Sequence, residues 1–460
     1  MADIIIDGTI GANRLLILDS TGKIPAVDGS QVTTIAAGNI ATGTIPIARI
    51  DTGSTANKIV VLDGSGRLPA VSAALITNLS SSTNSASDPT ITTNPSGGVG
   101  TEWHNTTSGE AYICTDATAG ANVWTNIGAG SGNVKPYVYQ GSSYGYSMGG
   151  YHYSDGVAPY RRGGHPNIDK WSYASGVQNA TDAGDLENKD PLSYSQSLWG
   201  SRAGASASNM THGYTLGGAN DAAGSPGYAS HACEKVAFAT DSGGADVGDL
   251  ILATGHSSGH SDGNYGYVCG GCTETTVINY DMIQSKSFAS EANADTTQNL
   301  SAARNRHVSC QTLTHGYLLG GSYTVTATAT DIIERFQFAT TNHCVDVGDL
   351  IAARRESGSS SSTTYGYTHG GTTAVAATKI NIIEKVQMVA TANSTDVADT
   401  MVTKTGMSGT SSTTHGYTIG HITSSAGSLD ITKYSHSSDA NATDVGDLTK
   451  HTGWSHTAQI

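Results

Sequence analysis

Three features of the 460-residue sequence predict an all-β protein. A block of about 50 residues recurs six times in the last two-thirds of the chain. Apolar residues come in short alternating runs bounded by Gly, Asn and Asp, which is the pattern of strands and turns. Glycine is abundant, with 57 residues, and only 13% of residues are charged. A repeat of about 40–50 residues with strand-like content predicts a β-propeller, with one four-stranded blade per repeat.

Each copy of the repeat is marked by an aromatic residue or His, then Gly-Tyr, two variable residues and Gly-Gly. The copies begin at Gly145, Gly213, Gly266, Gly316, Gly366 and Gly416. A strand such as IERFQFAT from Ile333 and an acidic turn such as VDVGDL from Val345 follow in most copies. The last copy stops at Ile460 before another Gly-Tyr strand, so the first such strand should pair into the sheet of the last repeat. We therefore expect residues 133–460 to form six blades in a ring without open edges.

Residues 1–80 contain a repeat of their own. ANRLLILDSTGKIPAV begins at Ala12, and ANKIVVLDGSGRLPAV begins 44 residues later at Ala56. Each copy predicts a brief strand, a Gly turn and an extended step, which together are too short to bury a core in one chain. Three identical chains around one axis would hide the apolar residues, so this region predicts a homotrimeric β shaft. A disordered linker is the alternative interpretation.

Residues 81–87 are polar and predict a hinge, and residues 88–130 predict a small β connector module. Its run EWHNTTSGEAYICTD indicates two strands around a turn at 107–109. Trp103, Tyr112 and Trp124 should supply most of its apolar burial. A module of this size is marginal alone, so it too is expected to associate with copies of itself.

Charge and hydropathy exclude several classes of protein. The net charge is −15 and no basic stripe is present, so nucleic acid is not an expected partner. No apolar run approaches ~18 residues, so no membrane insertion is expected. The first residues lack the basic and apolar segments of a secretory signal. Carriage on a virus particle is one route by which such a protein could act outside a cell.

The sequence predicts no cofactor and no metal site. Cys269 and Cys272 form a CGGC motif, but Cys269 takes the place of Met148 or Leu319 in other copies. We therefore interpret it as a small core residue, with zinc or a disulfide as the alternative. Five Asp-x-x-Asp turns could bind Ca²⁺, although repetition in almost every copy favours a role in the turn itself. These pairs are Asp182/Asp185, Asp246/Asp249, Asp346/Asp349, Asp396/Asp399 and Asp444/Asp447.

Histidines in the repeats are also predicted to be structural. The position before Gly-Tyr is His in three copies and Tyr in three, an exchange that catalysis would not tolerate. These residues are His212, His315, His415, Tyr144, Tyr265 and Tyr365. His369 occupies a core-like place, and His421 replaces a glycine of the last copy. No pair of carboxylates can be assigned to glycoside hydrolysis, and no catalytic motif is present, so no enzyme activity is expected.

The first copy is about 18 residues longer than the others, and this surplus supplies the predicted binding residues. It lies in YHYSDGVAPYRRGGHPN from Tyr151 and in ENKDPLSYSQSLWGSRAG from Glu187. Tyr, Trp and Arg on loops are typical of binding surfaces. The candidates are Tyr151, Tyr153, Tyr160, Arg161, Arg162, His165, Tyr194, Trp199 and Arg202. The alternative is that the surplus covers the junction where the ring closes.

Two resemblances follow from these motifs. The Gly-Gly, Ile-Glu-Lys-aromatic, acidic-turn and Gly-Tyr order of residues 133–460 resembles kelch-type propeller repeats, although the usual Trp before the third strand is absent. NKIVVLDGSGRLPAV and EWHNTTSGEAYICTDATAGANVWTNIG resemble shaft and connector segments of tailed-bacteriophage fibre proteins. The second resemblance implies a virion protein that binds other virion proteins through its N-terminal region and the host through its C-terminal head. Neither resemblance supplies catalytic residues.

The sequence therefore predicts a homotrimeric fibre of a tailed-phage virion, with a β shaft, a small β connector and a six-bladed kelch-like head. The head is expected to bind a host-surface glycan or protein. A non-adhesive neck or capsid appendage is one alternative, and a polysaccharide-degrading tailspike is another.

Overall fold

The computed structural model describes residue 20 and the ranges 82–128, 134–152, 163–174, 176–187, 203–220, 228–273, 278–290, 292–323, 328–373, 378–422 and 427–460. The chain divides into two compact units, Met1–Val134 and Lys135–Ile460. Every regular element in the described ranges is a strand, which confirms the all-β prediction. The predicted trimeric shaft of residues 1–80 lies outside the described residues, apart from Ser20.

The first unit contains a four-stranded sheet. Its strands, in sheet order, are Ser82–Ser85, Glu102–Asn105, Ala111–Asp116 and Val123–Asn126. The first pair is parallel and the other pairs are antiparallel. Tyr112 and Trp124 are fully buried, and Trp103 packs its ring edge-on to Trp124 at a centroid distance of 5.8 Å. The three aromatic residues therefore form the predicted core.

The hinge prediction for residues 81–87 is wrong. Ser82–Ser85 is an edge strand of this sheet, and its backbone pairs with Glu102–Asn105. Ser85 O accepts hydrogen bonds from the backbone N–H and hydroxyl of Thr106, at 2.7 and 3.0 Å. A polar sequence is compatible with an edge strand because backbone hydrogen bonds, rather than side-chain burial, hold such a strand in place.

The second unit consists of six four-stranded antiparallel sheets, numbered here 1 to 6 in the order of their Gly-Tyr strands. The innermost strands of sheets 2 to 6 are Ala205–Ser208, Ser258–Ser261, Val308–Gln311, Gly358–Ser361 and Ser408–Ser411, and that of sheet 1 is His456–Gln459. The second strands, from sheet 1 to sheet 6, are Tyr144–Met148, His212–Asn220, Tyr265–Cys269, His315–Leu319, Tyr365–His369 and His415–Ile419.

The third strands, in the same order, are Asn167–Ser172, Tyr228–Ala237, Met282–Ser287, Ile332–Gln337, Ile380–Gln387 and Ser428–Ser435. The outer strands are Thr181–Asp185, Ala245–Asp249, Asp295–Asn299, Val345–Asp349, Thr395–Lys404 and Thr443–Thr452. Two short pairs complete the unit: Tyr151–His152 with Gly163–Gly164, and Arg354–Arg355 with Thr372–Thr373.

The sheets form a closed, β-propeller-like ring. From sheet 1 to sheet 6, each innermost strand contacts the innermost strand of the next sheet. The innermost strand of sheet 6 in turn contacts that of sheet 1, which closes the ring. The C-terminal strand His456–Gln459 pairs antiparallel with Tyr144–Met148, the first Gly-Tyr strand. The two ends of the repeat region therefore meet in one sheet, as the sequence predicts. This closure removes the unpaired edges that would otherwise template association with other strands.

A buried acid or amide on the third strand joins neighbouring sheets, a feature that the sequence analysis did not predict. These residues are Asp169, Glu234, Gln284, Glu334 and Glu384, all less than 5% exposed. Each accepts a hydrogen bond from a backbone N–H within or just after the outer strand of the preceding sheet. In sheet 4, Glu334 also forms a buried ion pair of 2.8 Å with Arg304, and in sheet 5 Glu384 pairs with Arg354.

Candidate functional site

A cavity of about 180 Å³ runs through the middle of the ring and is lined by residues from all six sheets. Most residues of the innermost strands that border the cavity are small: Ser, Thr, Gly or Ala. From sheet 2 to sheet 6 and then sheet 1, the sequences are ASAS, SGHS, VSCQ, GSSS, SGTS and HTAQ. Short side chains let six strands approach one axis and still leave space between them. No sequence motif marks these tetrads in advance.

Hydroxyl groups join the innermost strands of neighbouring sheets. Ser309 Oγ donates to Gly259 O at 2.8 Å, and 50 residues later Ser359 Oγ donates to Ser309 O at 2.7 Å. Thr457 Oγ1 donates to Gly409 O at 2.8 Å in the same manner. These bonds satisfy carbonyl groups that face a neighbouring sheet rather than a hydrogen-bonded strand, which explains the abundance of hydroxyl residues at these positions.

Two of the innermost strands need glycine because the backbones approach closely. A Cβ atom at Gly259 would lie 2.1 Å from Ser206 O, and one at Gly409 would lie 2.0 Å from Ser359 O. No side chain fits at such distances without moving the backbone. The narrow wall of the cavity is therefore fixed by backbone contact at these two positions.

The segment through which the chain enters the ring closes one end of the cavity, and we call this the entry end. Tyr137 Oη lies 2.7 Å from Ser261 Oγ, and the buried Tyr139 donates its hydroxyl to Ser362 O at 2.7 Å. Gln140 Nε2 donates to the carbonyl groups of Ser361 and Ser412, both at 3.1 Å. These bonds reach sheets 3, 5 and 6, so the segment spans the end of the cavity.

The opposite end carries one residue per sheet in the left-handed backbone conformation. We call these six residues the mouth ring: Ala203, His256, Arg306, Glu356, Gly406 and Trp454, with φ between 49° and 61°. Successive backbone groups are joined, because the N–H of Arg306, Glu356, Gly406, Trp454 and Ala203 each donates to the preceding member's carbonyl, at 2.7–3.0 Å. Five members are not glycine, and each such residue costs about 1–2 kcal/mol in this conformation.

The side chains of the mouth ring form a polar pair and an aromatic group. Arg306 Nη1 forms an ion pair with Glu356 Oε1 at 2.8 Å, and both side chains are mostly buried. Thr405 Oγ1 donates to the other oxygen of Glu356 at 3.2 Å. The indole of Trp454 meets the ring of His256 edge-on, at a centroid distance of 6.0 Å. Glu356 is the only carboxylate among the described residues that line the cavity.

Of the predicted binding residues, the structure describes Tyr151 and His165. Tyr151 packs edge-on to Trp454 at a centroid distance of 5.8 Å, and His165 Nε2 lies 2.9 Å from Thr452 Oγ1. Both contacts join sheet 1 to the last repeat, as the junction interpretation expects. The others lie outside the described residues: Tyr153, Tyr160, Arg161, Arg162, Tyr194, Trp199 and Arg202.

One described residue near an end of each inserted stretch lies at or beside the mouth ring. Tyr151, which precedes residues 153–162, contacts Trp454. Ala203, which follows residues 188–202, is itself a member of the ring. Sequence reasoning thus selected stretches that begin or end at this site but missed the ring itself. Only Gly406 signals a left-handed position in the sequence, and the other five members have no residue type in common.

The repeated aspartates have the structural role that the sequence favours. In four outer strands, the first Asp of the pair accepts the backbone N–H two residues later, at 2.9–3.1 Å. The N–H of the second Asp donates to an Asn side chain in the next sheet, as between Asp349 and Asn393 at 3.0 Å. The described residues contain no group of three or more His, Cys, Asp or Glu arranged to hold a metal ion.

The cysteine and histidine predictions are also tested. All six cysteines are buried and free, and Cys233 and Cys269 lie in core clusters. Burial raises the pKa of the Cys269 thiol well above its usual value. His369 is fully buried and His421 is 7% exposed. At the position before Gly-Tyr, His212 and His415 each lie beside the Tyr two residues later, and Tyr144 lies under the ammonium group of Lys170.

The comparisons with known proteins give a fold and no family. No family model matches the chain, and no curated protein matches it. Among solved structures, the chain is similar to one described as "Structure of YjhT", with a TM-score of 0.51 and 10% sequence identity. The match covers 61% of this chain and 91% of that one. At this identity the likeness supports the propeller-like fold alone. Among the described residues, no helix has the length and hydropathy needed to cross a membrane.

Proposed function

We propose that this chain is a structural, non-enzymatic fibre protein of a tailed-phage virion. Its ring binds a molecule on the host surface, and we propose that this molecule is a glycan. One observation carries the proposal. The mouth ring, at the end of the cavity opposite the entry end, includes Ala203 and is contacted by Tyr151, one described residue from each of the two stretches that lengthen the first repeat. Connecting segments held on a rigid closed scaffold are a common place for binding residues.

The chemistry of the mouth ring supports binding rather than hydrolysis. Glycoside hydrolysis uses two carboxyl groups at ~5–9.5 Å. Among the described residues, only Glu356 provides a carboxylate in the cavity wall, and it is paired with Arg306. The mouth ring also includes Trp454 and Arg306, and Trp and Arg are among the residue types that most often dominate binding energy.

Cell binding tests the proposal. Labelled full-length chain is incubated with a panel of bacterial strains, and Tyr160→Ala and Trp199→Ala are compared with Tyr265→Ala. Tyr265 is 41% exposed and begins a second strand next to the entry-end turn, so it is the matched aromatic control. We expect binding to some strains, a loss of ~10-fold or more for the first two variants, and no loss for the control. Binding to no strain, or shortening of a surface polysaccharide, would contradict the proposal.

Association of the N-terminal region is proposed in the same way. A homotrimer has a solution mass three times the 47.1 kDa of one chain. Trimeric presentation of three weak sites raises the effective affinity by about 10²–10⁴-fold when all three are engaged. Light scattering of the full-length chain measures this mass, and a monomer would contradict the trimeric shaft.

A further inference from the structure

The mouth ring keeps side chains where glycine would fit the backbone best. All six members have positive φ, which glycine adopts without strain. The chain nevertheless places His, Arg, Glu and Trp at four of these positions. Backbone hydrogen bonds around the ring do not depend on side-chain type, so they do not explain the choice. Strained residues that persist in this manner cluster at ligand sites.

Small neighbours give the indole of Trp454 its place at the mouth. Ala203 and Gly406 flank Trp454 in the order of the ring. A Cβ atom at Gly406 would lie 2.9 Å from Trp454 Nε1, so this glycine makes room for the indole. Tyr151 and His256 each contact the indole ring edge-on. Trp454 is therefore a positioned aromatic surface that lines the cavity.

Two polar members of the mouth ring, which also line the cavity, are suited to hydroxyl groups of a ligand. Arg306 and Glu356 place a donor and an acceptor 2.8 Å apart.

We propose that the mouth ring binds one neutral pyranose residue, with Trp454 against its ring face and the Arg306–Glu356 pair on two adjacent hydroxyl groups. The inference rests on the proposed function, because it names the ligand class of the host-binding end. Vicinal hydroxyl groups both donate and accept, so they match a paired cation and carboxylate. The apolar face of a sugar ring matches a flat aromatic surface.

The size and charge of the site narrow the ligand further. The cavity of about 180 Å³ is below the ~300 Å³ at which sites for larger ligands begin. The whole cavity, from the entry end to the mouth ring, therefore has room for one sugar ring rather than for a longer segment of polysaccharide. A sugar carboxylate next to Arg306 would lie close to Glu356 and be repelled by it, so acidic sugars are disfavoured.

Calorimetry of the full-length chain with methyl glycosides of neutral hexoses tests the proposal, with glucuronic acid as the acidic counterpart. The double variant Arg306→Gly/Glu356→Gly removes the polar pair without leaving a lone charge. Asp262→Asn is the control, because Asp262 lies in an entry-end turn, outside the mouth ring and the cavity lining. Trp454→Ala tests the aromatic surface separately.

We expect at least one neutral glycoside to bind, a loss of about tenfold or more in the double variant and in Trp454→Ala, and unchanged affinity in Asp262→Asn. The melting temperature of the double variant should equal or exceed that of the parent, since two strained residues become glycine. Affinity lost equally in Asp262→Asn, or binding of glucuronic acid alone, would overturn the proposal.

Cell binding separates this inference from the function on which it rests. If cells bind the full-length chain and its mouth-ring variants equally, and no glycoside binds, the pyranose site is wrong and the host-binding function stands. If no strain binds while a glycoside binds at the mouth ring, the host-binding function is wrong and the pyranose site stands.

Discussion

The two ends of the ring use the same six-fold repeat in different ways. At the entry end, the turns between innermost and second strands have the same hydrogen-bond pattern. In each turn the side chain of an Asn, Asp, Thr or Ser accepts the backbone N–H groups two and three residues later. These residues are Asn209, Asp262, Thr312, Ser362 and Ser412. The mouth ring shares its backbone conformation but no side-chain chemistry.

The difference shows where the repeat is constrained by folding and where it is not. An entry-end turn needs a side-chain acceptor, so only a few short polar residues are suitable. At the mouth, neighbouring backbones satisfy one another, and the side chain is free to differ from sheet to sheet. Positions that share a conformation but differ in chemistry are the best candidates for binding.

The largest expected effect comes from the buried pair that precedes the mouth ring. Glu334→Ala leaves Arg304 buried without its carboxylate, and it also removes the acceptor of Ser301 N–H. We expect a loss of about 3–5 kcal/mol in the free energy of unfolding, because an unpaired buried charge is strongly destabilising. Chemical denaturation measures the change.

Sheet 3 supplies the control for that experiment. At the equivalent positions it has Thr254 and Gln284, whose side chains are joined by a hydrogen bond of 3.2 Å. The double variant Arg304→Thr/Glu334→Gln reproduces this neutral pair in sheet 4. It should recover most of the stability lost in Glu334→Ala. A double variant as unstable as the single one would show that the ion pair itself, rather than satisfied polar groups, stabilises the junction.

The next-largest expected effect is a loss of folding stability in acid, caused by buried histidines on the innermost strands. Burial lowers the pKa of His260 and of His456 to about 4. His260 Nε2–H donates to Tyr317 O at 3.0 Å, and burial of the ring outweighs this bond, so the ring is neutral. The unfolded state binds this proton at a pH near ~6.5, so stability is present above that pH and falls as pH decreases toward ~4.

His260→Gln should remove a corresponding part of the pH dependence. A pKa difference of about 2.5 units corresponds to ~3 kcal/mol between pH 6.5 and 4. Denaturation of the variant across this range should give a shallower loss of stability than in the parent. His456→Gln should remove a similar part of the pH dependence. If the free energy of unfolding depends on pH in both variants as it does in the parent, neither histidine is buried in its neutral form.

Much of the fold could be predicted because the repeat aligns the chain with itself. The repeat period predicted the six sheets. The last repeat ends at Ile460 without a further Gly-Tyr strand, and this predicted the ring closure in which His456–Gln459 pairs with the first Gly-Tyr strand. Exchange of Cys269 for Met148 or Leu319 between copies indicated a core position. The edge strand Ser82–Ser85 was not predictable, because its partner Glu102–Asn105 is set by tertiary pairing rather than by alternation.

The candidate site was only partly predictable. Extra length in the first repeat singled out two stretches, and one described residue of each, Tyr151 and Ala203, lies at or beside the mouth ring. The mouth ring has no such signal, since its members are defined by φ and by hydrogen bonds to a neighbouring repeat. Ala, His, Arg, Glu and Trp do not reveal a left-handed conformation in a sequence.

A smaller effect is expected at an entry-end turn. Asp262 accepts the N–H groups of Asn264 and Tyr265, both at 2.8 Å, and its other oxygen accepts the Tyr267 hydroxyl at 2.9 Å. Asp262→Ala should cost about 1–2 kcal/mol by denaturation, as for loss of a capping side chain. Asp262→Asn is the control, because Asn209 performs the same role in sheet 2. Neither variant should change glycoside binding at the other end.

The smallest effect separates backbone strain from side-chain function within the mouth ring. Ala203 has φ 55° and Gly406 has φ 61°. Ala203→Gly should therefore raise the free energy of unfolding by up to ~1 kcal/mol, and Gly406→Ala should lower it by at least a similar amount. The second variant also forces Trp454 to move, because its new Cβ would lie 2.9 Å from Nε1. If Gly406→Ala alone weakens glycoside binding, the effect belongs to the indole position. If both variants weaken it, the backbone of the ring contributes to binding and the comparison between the two ends must be redrawn.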